Sequence, residues 1–465
     1  MTKQQRLELM ESGPIGKALY LLGYPAVIGL LSGAVYNLVD SIFIGFLDDT
    51  AAIGAAAVVF PIFLLISALG LGFGIGAGSA ISRLLGAAKH EEANKVAATA
   101  FFSVLVAGIL FSIVGVIYID HILVFFGATE TILEKARIYG TVIIGFSFFR
   151  ILNMFMNNII RSEGAASYSG RAMLIGSVLN MLLDPLFMFA LGMGLRGAAV
   201  ATVIAQGIVT CYLLRFFISG RGIISIHPRY VALLAWIFKE IFTIGIPTFI
   251  RQSLVSVSMG LLNSAAASFG DEVIASVGIV IRLNALIIMV NFGIGQGLQP
   301  LVGYNYGAGQ FARVRRTFIM ASRASTIYSV CIALLFFIFA PWIIFVFSRD
   351  PEVIAYGARY LRYMSATLWI LGFQTISSYL FQALGRARET TLLATARQGL
   401  FLIPLVLTLP RFFGVTGVFL SQPLADLFST ILSVYLVVVH MKKLREMERL
   451  SLAAAEEEAI NASIH

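Results

Sequence analysis

Apolar runs long enough to cross a bilayer recur from Ala18 to Val439, and no stretch between them is long enough to bury a core of its own. The longest breaks lie around Gly220–Leu234, Asp120–Arg137 and Met441–His465. About 20 apolar residues span the hydrocarbon layer as a helix, so 465 residues with short connections hold roughly twelve. Hydrophobic residues make up 59% of the chain and charged residues 12%, about half the roughly 25% charged content of soluble domains. The fold class that follows is an all-α polytopic membrane protein with twelve transmembrane helices. A soluble catalytic or nucleotide-binding domain has nowhere to fold. Cys211 and Cys331 lie inside apolar runs, the five His are scattered, and no HExxH or zinc-type Cys/His spacing occurs, so neither a disulfide framework nor a metal cofactor is expected.

The runs place spans at about 16–46, 51–82, 96–119, 137–160, 168–192 and 196–218, then 239–267, 273–300, 317–346, 356–382, 391–410 and 416–440. Some fourteen polar residues precede the first run and no small-residue cleavage site follows it, so no signal peptide is expected. The expected organisation is an N-terminal segment 1–15, a first lobe 16–220, an inter-lobe loop 221–238, a second lobe 239–440 and a C-terminal tail 441–465. Of the 33 Lys and Arg, twenty-two flank the termini and the even-numbered loops, and seven lie in the odd-numbered loops. Arg150, Arg251, Arg282 and Arg397 fall within spans. The positive-inside rule therefore puts both termini in the cytoplasm, for a multi-pass protein of the plasma (inner) membrane. The net charge of +9 is then a topology signal, and no nucleic-acid partner is expected.

The halves repeat. Gly23-Tyr24-Pro25 returns as Gly245-Ile246-Pro247, Phe73-Gly74-Ile75-Gly76 as Phe292-Gly293-Ile294-Gly295, Gly164 as Gly385, and Arg196-Gly197 as Thr416-Gly417. Six spans per repeat insert both lobes the same way up, related by a pseudo-two-fold axis along the membrane normal, an architecture of transporters. The alternating glycines Gly70 to Gly78 follow no strand and precede no Lys-Ser/Thr, so they read as a small-residue packing ridge rather than a phosphate loop.

Ionisable groups inside a membrane are costly, which makes each a functional candidate. Counted from the span ends, Asp40 lies ~9 Å deep, Asp184 ~12 Å and Thr202 ~9 Å at 1.5 Å per residue, with Asn180 one helical turn below Asp184. Two carboxylates in a partly dry pocket cannot both be ionised cheaply, so the set suits a shared proton. With the Asn180 carbonyl and the Thr202 hydroxyl, the same oxygens also suit Na⁺. The alternative is that the acids only cross-link helices. Pro25 removes a hydrogen bond to Leu21 and offers span 1 a place to bend, or a static kink. Tyr36, Asn37, Asn153, Asn157 and Met173 share faces with these groups and are the expected substrate contacts. Asp426 is expected to pair with Arg251 or Arg282 as a structural ion pair, with an anionic substrate as the other use of the surplus arginines.

Over nearly its full length the chain resembles the multidrug and toxic compound extrusion family. The resemblance is carried by Gly23-Tyr24-Pro25 with Asn37-Leu38-Val39-Asp40, by Ile81-Ser82-Arg83-Leu84-Leu85-Gly86, by Asn180 with Asp184-Pro185, and by Leu195-Arg196-Gly197-Ala198-Ala199. It is similar to the DinF-like and MepA-like branches, where Asp40, Asn180, Asp184 and Thr202 match the proton or sodium site. Acids that NorM-like members carry in spans 7 and 10 are absent here, where Arg251, Gln252 and Ser253 and then Gln374, Thr375 and Ser378 stand. The resemblance implies two pseudo-symmetric six-helix lobes and an antiporter that exports lipophilic cations and amphipathic drugs against H⁺ or Na⁺, acting as a monomer without an organic cofactor. A lipid-linked oligosaccharide flippase of the wider superfamily is the competing reading, favoured by the second-lobe arginines and opposed by the acidic pocket. A membrane-embedded enzyme lacks a nucleophile–base pair. If the charge asymmetry sets orientation, cysteines placed at Asp49 and Asp271 will react with impermeant reagents from outside, and cysteines at Lys89 and Arg386 only from inside; the opposite sidedness would end this topology.

Overall fold

Long apolar stretches with no β-branched alternation and few internal breaks favour helices that close every backbone hydrogen bond within themselves, as a bilayer demands. The computed structural model describes the backbone of residues 1–464 and the side chains of 1–451 and 453; the last residue of the segment 441–465 lies outside the described residues. Among the described residues there is no strand. The helices are α1 (Lys3–Glu11), α2 (Ile15–Gly45), α3 (Thr50–Gly86), α4 (His90–Ile117), α5 (Ile119–Phe125), α6 (Glu130–Gly145), α7 (Ser147–Ser162), α8 (Ala166–Pro185) and α9 (Gly194–Ile218). They continue as α10 (Ala235–Ala267), α11 (Asp271–Gly307), α12 (Phe311–Phe347), α13 (Pro351–Ala383), α14 (Ala387–Thr395), α15 (Ile403–Phe413) and α16 (Val415–Ile464). Ten helical runs are long and apolar enough to cross a membrane, with α14 and α15 counted as one, and α6 with α7 forms an eleventh, bent by 45°. Among the described residues, α13, 33 residues long, completes twelve, its apolar run interrupted by Gln374, Thr375, Ser377 and Ser378.

Three features differ from the sequence reading. The N-terminal segment carries a helix of its own, α1, which Thr2 and Gln5 cap reciprocally: Gln5 N–H donates to Thr2 Oγ1 at 3.2 Å and Thr2 N–H to Gln5 Oε1 at 2.9 Å. The fourth span starts at Glu130 rather than 137 and breaks at Phe146. A hydroxyl from α4 accounts for the break: Ser112 Oγ accepts the Phe148 N–H at 3.3 Å and meets Ser147 Oγ at 2.9 Å, replacing a bond of the helical ladder. α16 runs far past 440, where its polar extension is held by Arg315 against Glu448 at 3.4 Å and by His440 against Glu389 at 2.9 Å.

By contact the chain gathers into two units, one of 1–7, 24–81 and 90–253 and the other of 8–23, 82–89 and 254–465. In the first, the alternating glycines of α3 serve two faces. A Cβ on Gly70, Gly74 or Gly78 would lie 2.8 Å from Met154, 3.0 Å from Asn158 and 3.4 Å from Ser162, so that ridge seats α7. A Cβ on Gly72 would come 3.1 Å from the Gly245 carbonyl, which is why the start of α10 gathers with this unit although the repeat assigns it to the second half. In the second unit, Arg313 and Asn305 bind the Met10 carbonyl at 3.3 Å and 2.9 Å, and Tyr360 stacks on Phe419 with ring centroids 4.9 Å apart at the centre of the core.

The loop after α9 is fastened to the first unit by polar anchors. Thr99 Oγ1 both accepts from Ala232 N–H at 3.0 Å and donates to its carbonyl at 3.2 Å, and Asn94 Oδ1 accepts from Ser225 N–H at 2.7 Å. Glu163, fully buried just beyond α7, accepts the Ile223 and Ile224 N–H groups at 2.5 Å and 3.2 Å and lies 3.6 Å from Arg6. Burial pushes this carboxyl up to about 7, against the pull of Arg6 and the two amides. A carboxyl harder to ionise when folded stabilises the fold most below its ordinary range, and that stability is lost as the pH rises through about 7. Thermal melts are therefore expected to fall between about pH 5 and about pH 8 in the wild type and to flatten in Glu163→Gln; an unchanged slope in the variant would assign the effect to another group.

Candidate functional site

The first unit gathers its intramembrane acids beside a helix defect. Pro185 has no N–H for the Met181 carbonyl, and directly after it the helix widens into a π turn over Leu186–Ala190. Asp184, 0% exposed, is the residue at that junction. Asn180, one turn earlier, turns its amide nitrogen to the Asp184 carboxylate at 2.7 Å and 3.2 Å. Its oxygen accepts from the Thr202 hydroxyl at 3.0 Å and the Thr202 N–H at 3.3 Å, an orientation that avoids setting carbonyl against carboxylate. α8 and α9 are thus joined by a buried Asp184–Asn180–Thr202 chain.

Asp40 approaches from α2, half-buried, close enough to Asp184 to repel it. Its Oδ1 is buried and makes no hydrogen bond. The Tyr36 phenol, one turn before Asp40, meets the Thr202 hydroxyl. Among the described residues no Lys or Arg pairs with either acid. Arg150 is close to Tyr36 but is held elsewhere, with Nε donating to Ser67 Oγ at 3.0 Å and its guanidinium 4.3 Å from the Phe63 ring centroid. In this orientation the Asn180 oxygen is taken by Thr202, so the oxygens open to a proton or a small monovalent cation are those of Asp40 and Asp184. Groups of three or more His, Cys, Asp or Glu, as a transition metal would need, do not occur among the described residues.

The remaining candidates separate. Asn153 and Asn157 are buried and engaged within the unit: Asn153 donates to the Gln206 carbonyl at 2.9 Å and accepts from Thr210 at 2.8 Å, while Asn157 accepts from Ser169 at 2.7 Å. Met173 is half-buried against Gly29, and Asn37 is exposed. Pro25 lies against Gly170, where a Cβ would come 2.6 Å from the Pro25 carbonyl oxygen, so any bend of α2 there moves against α8. Tyr139 is an addition. It stands within electrostatic reach of Asp40, Tyr36 and Asp184, and sequence reasoning missed it because a span starting at 137 leaves it at the surface. The helix starts at Glu130, which carries Tyr139 nine residues, ~14 Å, inward.

The second unit uses its buried acid differently. Asp426, 0% exposed, accepts from Arg397 Nε at 2.6 Å and from Gln422 at 3.1 Å. Its partner is thus Arg397, not Arg251 or Arg282: Arg397 rides a π turn over Ala396–Leu402 packed on α16, which turns its side chain to that helix. Ser258 donates to Gln398 at 2.6 Å beside it, and Gln374 donates to Ser429.

A family model described as MatE matches the chain twice, over residues 25–186 and 247–408, displaced by the interval that separates Gly23 from Gly245. Multidrug export protein MepA of Staphylococcus haemolyticus is 29% identical over 436 residues, covering 94% of this chain and 96% of its own. Its namesake in Staphylococcus aureus is 30% identical over 426 residues, covering 91% and 94%. A crystal structure of MATE in complex with MaL6 superposes with a TM-score of 0.89 at 26% identity, over 95% of this chain and 99% of that one.

Breaking a buried ion pair leaves one charge unmatched and costs about 3–5 kcal/mol, whereas replacing both partners costs less. Asp426→Asn is expected to lower the melting temperature sharply and Asp426→Asn/Arg397→Gln to recover much of the loss; a double variant as unstable as the single would mean the pair is not the stabilising contact.

Proposed function

We propose that this chain, which belongs to the multidrug and toxic compound extrusion (MatE) family, exports lipophilic and cationic small molecules in exchange for inward H⁺, with Na⁺ as the alternative coupling ion. It is a membrane transporter rather than an enzyme, and its relatives named for multidrug export support the substrate class. The observation that carries the coupling is electrostatic. Asp184 has only the neutral Asn180–Thr202 chain for company, and Asp40 keeps a buried oxygen without a donor. Negative charge at this pair is compensated by a proton, by Na⁺ or by a cationic drug, and the three exclude one another. Tyr36 and Tyr139 give the adjacent wall aromatic faces suited to flat, cationic ligands.

In the working cycle an ion from outside neutralises the pair, α2 shifts at Pro25 against Gly170, and the site loses its attraction for the cation. Release of the ion inside restores the charge and the affinity. One charge falling through 100 mV supplies ~2.3 kcal/mol, enough for roughly fifty-fold accumulation of a neutral substrate. The inner-membrane setting, cytoplasmic termini and monomeric state complete the proposal, resting on the Lys/Arg asymmetry and on sites contained within one chain. Arg397, one of the cations that favours a flippase, is occupied by Asp426.

Dye efflux from proteoliposomes, with pH and Na⁺ gradients imposed separately, tests this reading. Asp40→Asn and Asp184→Asn are each expected to abolish gradient-driven efflux in a folded protein, with no further loss in the double variant because the pair acts as a unit. Wild-type efflux in the double variant, or movement of anionic lipid-linked sugars only, would overturn it.

A further inference from the structure

A second polar feature of the first unit has the opposite sign. Where the first turn of α1 meets the turn between α7 and α8 and the end of α9, a cavity of about 380 Å³ opens, lined by Lys3, Arg6, Arg171 and Arg221 and by no acid. Tyr168 and Phe216 provide an apolar wall. Three of the cations are exposed, as solvated surface charges are, but Arg6 is only 4% exposed. Its Nη2 donates to the Arg221 carbonyl and its guanidinium lies 5.4 Å from the Phe216 centroid. Nη1 is 3.6 Å from Glu163, beyond hydrogen-bond range, and both Nη1 and Nε are buried without a hydrogen bond. Buried guanidinium donors left open destabilise a fold unless an acceptor arrives. Glu163 Oε2 is taken by the two loop amides, and its Oε1 faces Nη1 as an ion pair without closing a hydrogen bond, so the Arg6 donors remain open to a further acceptor. The first N–H groups of α1 add a positive helix end beside the same cavity.

Several converging cations with open N–H donors match an anion that offers several oxygens, and arginines match phosphate in particular. The lack of any acid in the lining excludes the cationic molecules that the Asp40–Asp184 pair attracts. We propose that this cavity binds a phosphate-bearing anion through Arg6, Arg171, Arg221 and Lys3. A phospholipid headgroup and a free phosphate ester present the same chemistry; the apolar wall of Tyr168 and Phe216 accommodates the carbon part of either. The site lies apart from the carboxylate pair and does not depend on the transport reading.

Purified full-length protein tests it without any gradient, so its failure is separate from a failure of the coupling proposal. Native mass spectrometry after exchange into phosphatidylglycerol or phosphatidylcholine reads lipid retention, and calorimetry with inorganic phosphate and glycerol phosphate reads the free anion. Wild-type protein should hold phosphatidylglycerol selectively, bind the free anions, or both. Arg171→Gln/Arg221→Gln, which alters two exposed side chains and should melt as the wild type does, is expected to weaken binding about ten-fold. Arg229→Gln, exposed in the following loop but outside the cavity, should bind as the wild type does. Retention of phosphatidylglycerol alone identifies a headgroup site, and binding of glycerol phosphate without lipid selectivity identifies a free ester; both support the proposal. No binding of any of these probes, or equal binding in wild type and double variant, overturns it.

Discussion

A carboxylate taken out of water needs hydrogen bonds and an opposite charge, and Asp184 receives only the first. Asn180 and Thr202 satisfy the geometry of the carboxyl group but carry no charge, and no cationic side chain is brought to it among the described residues. In the proposed function, a mobile ion or a cationic drug completes the arrangement. The rest of the first unit follows from that constraint: Pro185 and the π turn put Asp184 at a helix defect, α9 presents Thr202, and α2 brings a second carboxyl whose inner oxygen has no donor.

The second unit, built from the same repeat, resolves the problem the other way. Its π turn delivers Arg397 to Asp426, and Arg397 and Gln422 both bind Oδ1 while Oδ2 stays without a hydrogen bond. The repeat has thus produced one acid paired with an arginine and one acid pair without a cationic partner among the described residues, which the proposed function uses as the exchangeable centre. The cationic cavity at the end of the first unit adds a third electrostatic environment, of opposite sign to the acid pair.

Much of the fold could be read from the chain because the bilayer limits it to helices of fixed length, and the span limits fall near the observed ones. Depth counting along three spans also puts Asp40, Asp184, Asn180 and Thr202 near one level, since in-register helices convert residue number directly into height. What escaped the sequence depends on contacts between distant residues. The break at Phe146 comes from Ser112 on another helix, the start of α10 joins the first unit because Gly72 and Gly245 touch, and Asp426 takes Arg397 because a π turn rotates it. Tyr139 was hidden by a helix that begins earlier than its hydropathy suggests, and the side chains of Asn153 and Asn157 are engaged inside the unit by Thr210, Gln206 and Ser169.

The central claim is that ion and substrate compete for the charge of one carboxylate pair. The most direct measurement is proton release on substrate binding: a lipophilic cationic dye is added to the purified protein in weak buffer containing a pH indicator. The account predicts a burst of protons that saturates with the dye and disappears in Asp40→Asn/Asp184→Asn; if Na⁺ is the coupling ion, the same experiment gives Na⁺ displacement instead. Dye binding of wild-type strength that releases neither ion would contradict it.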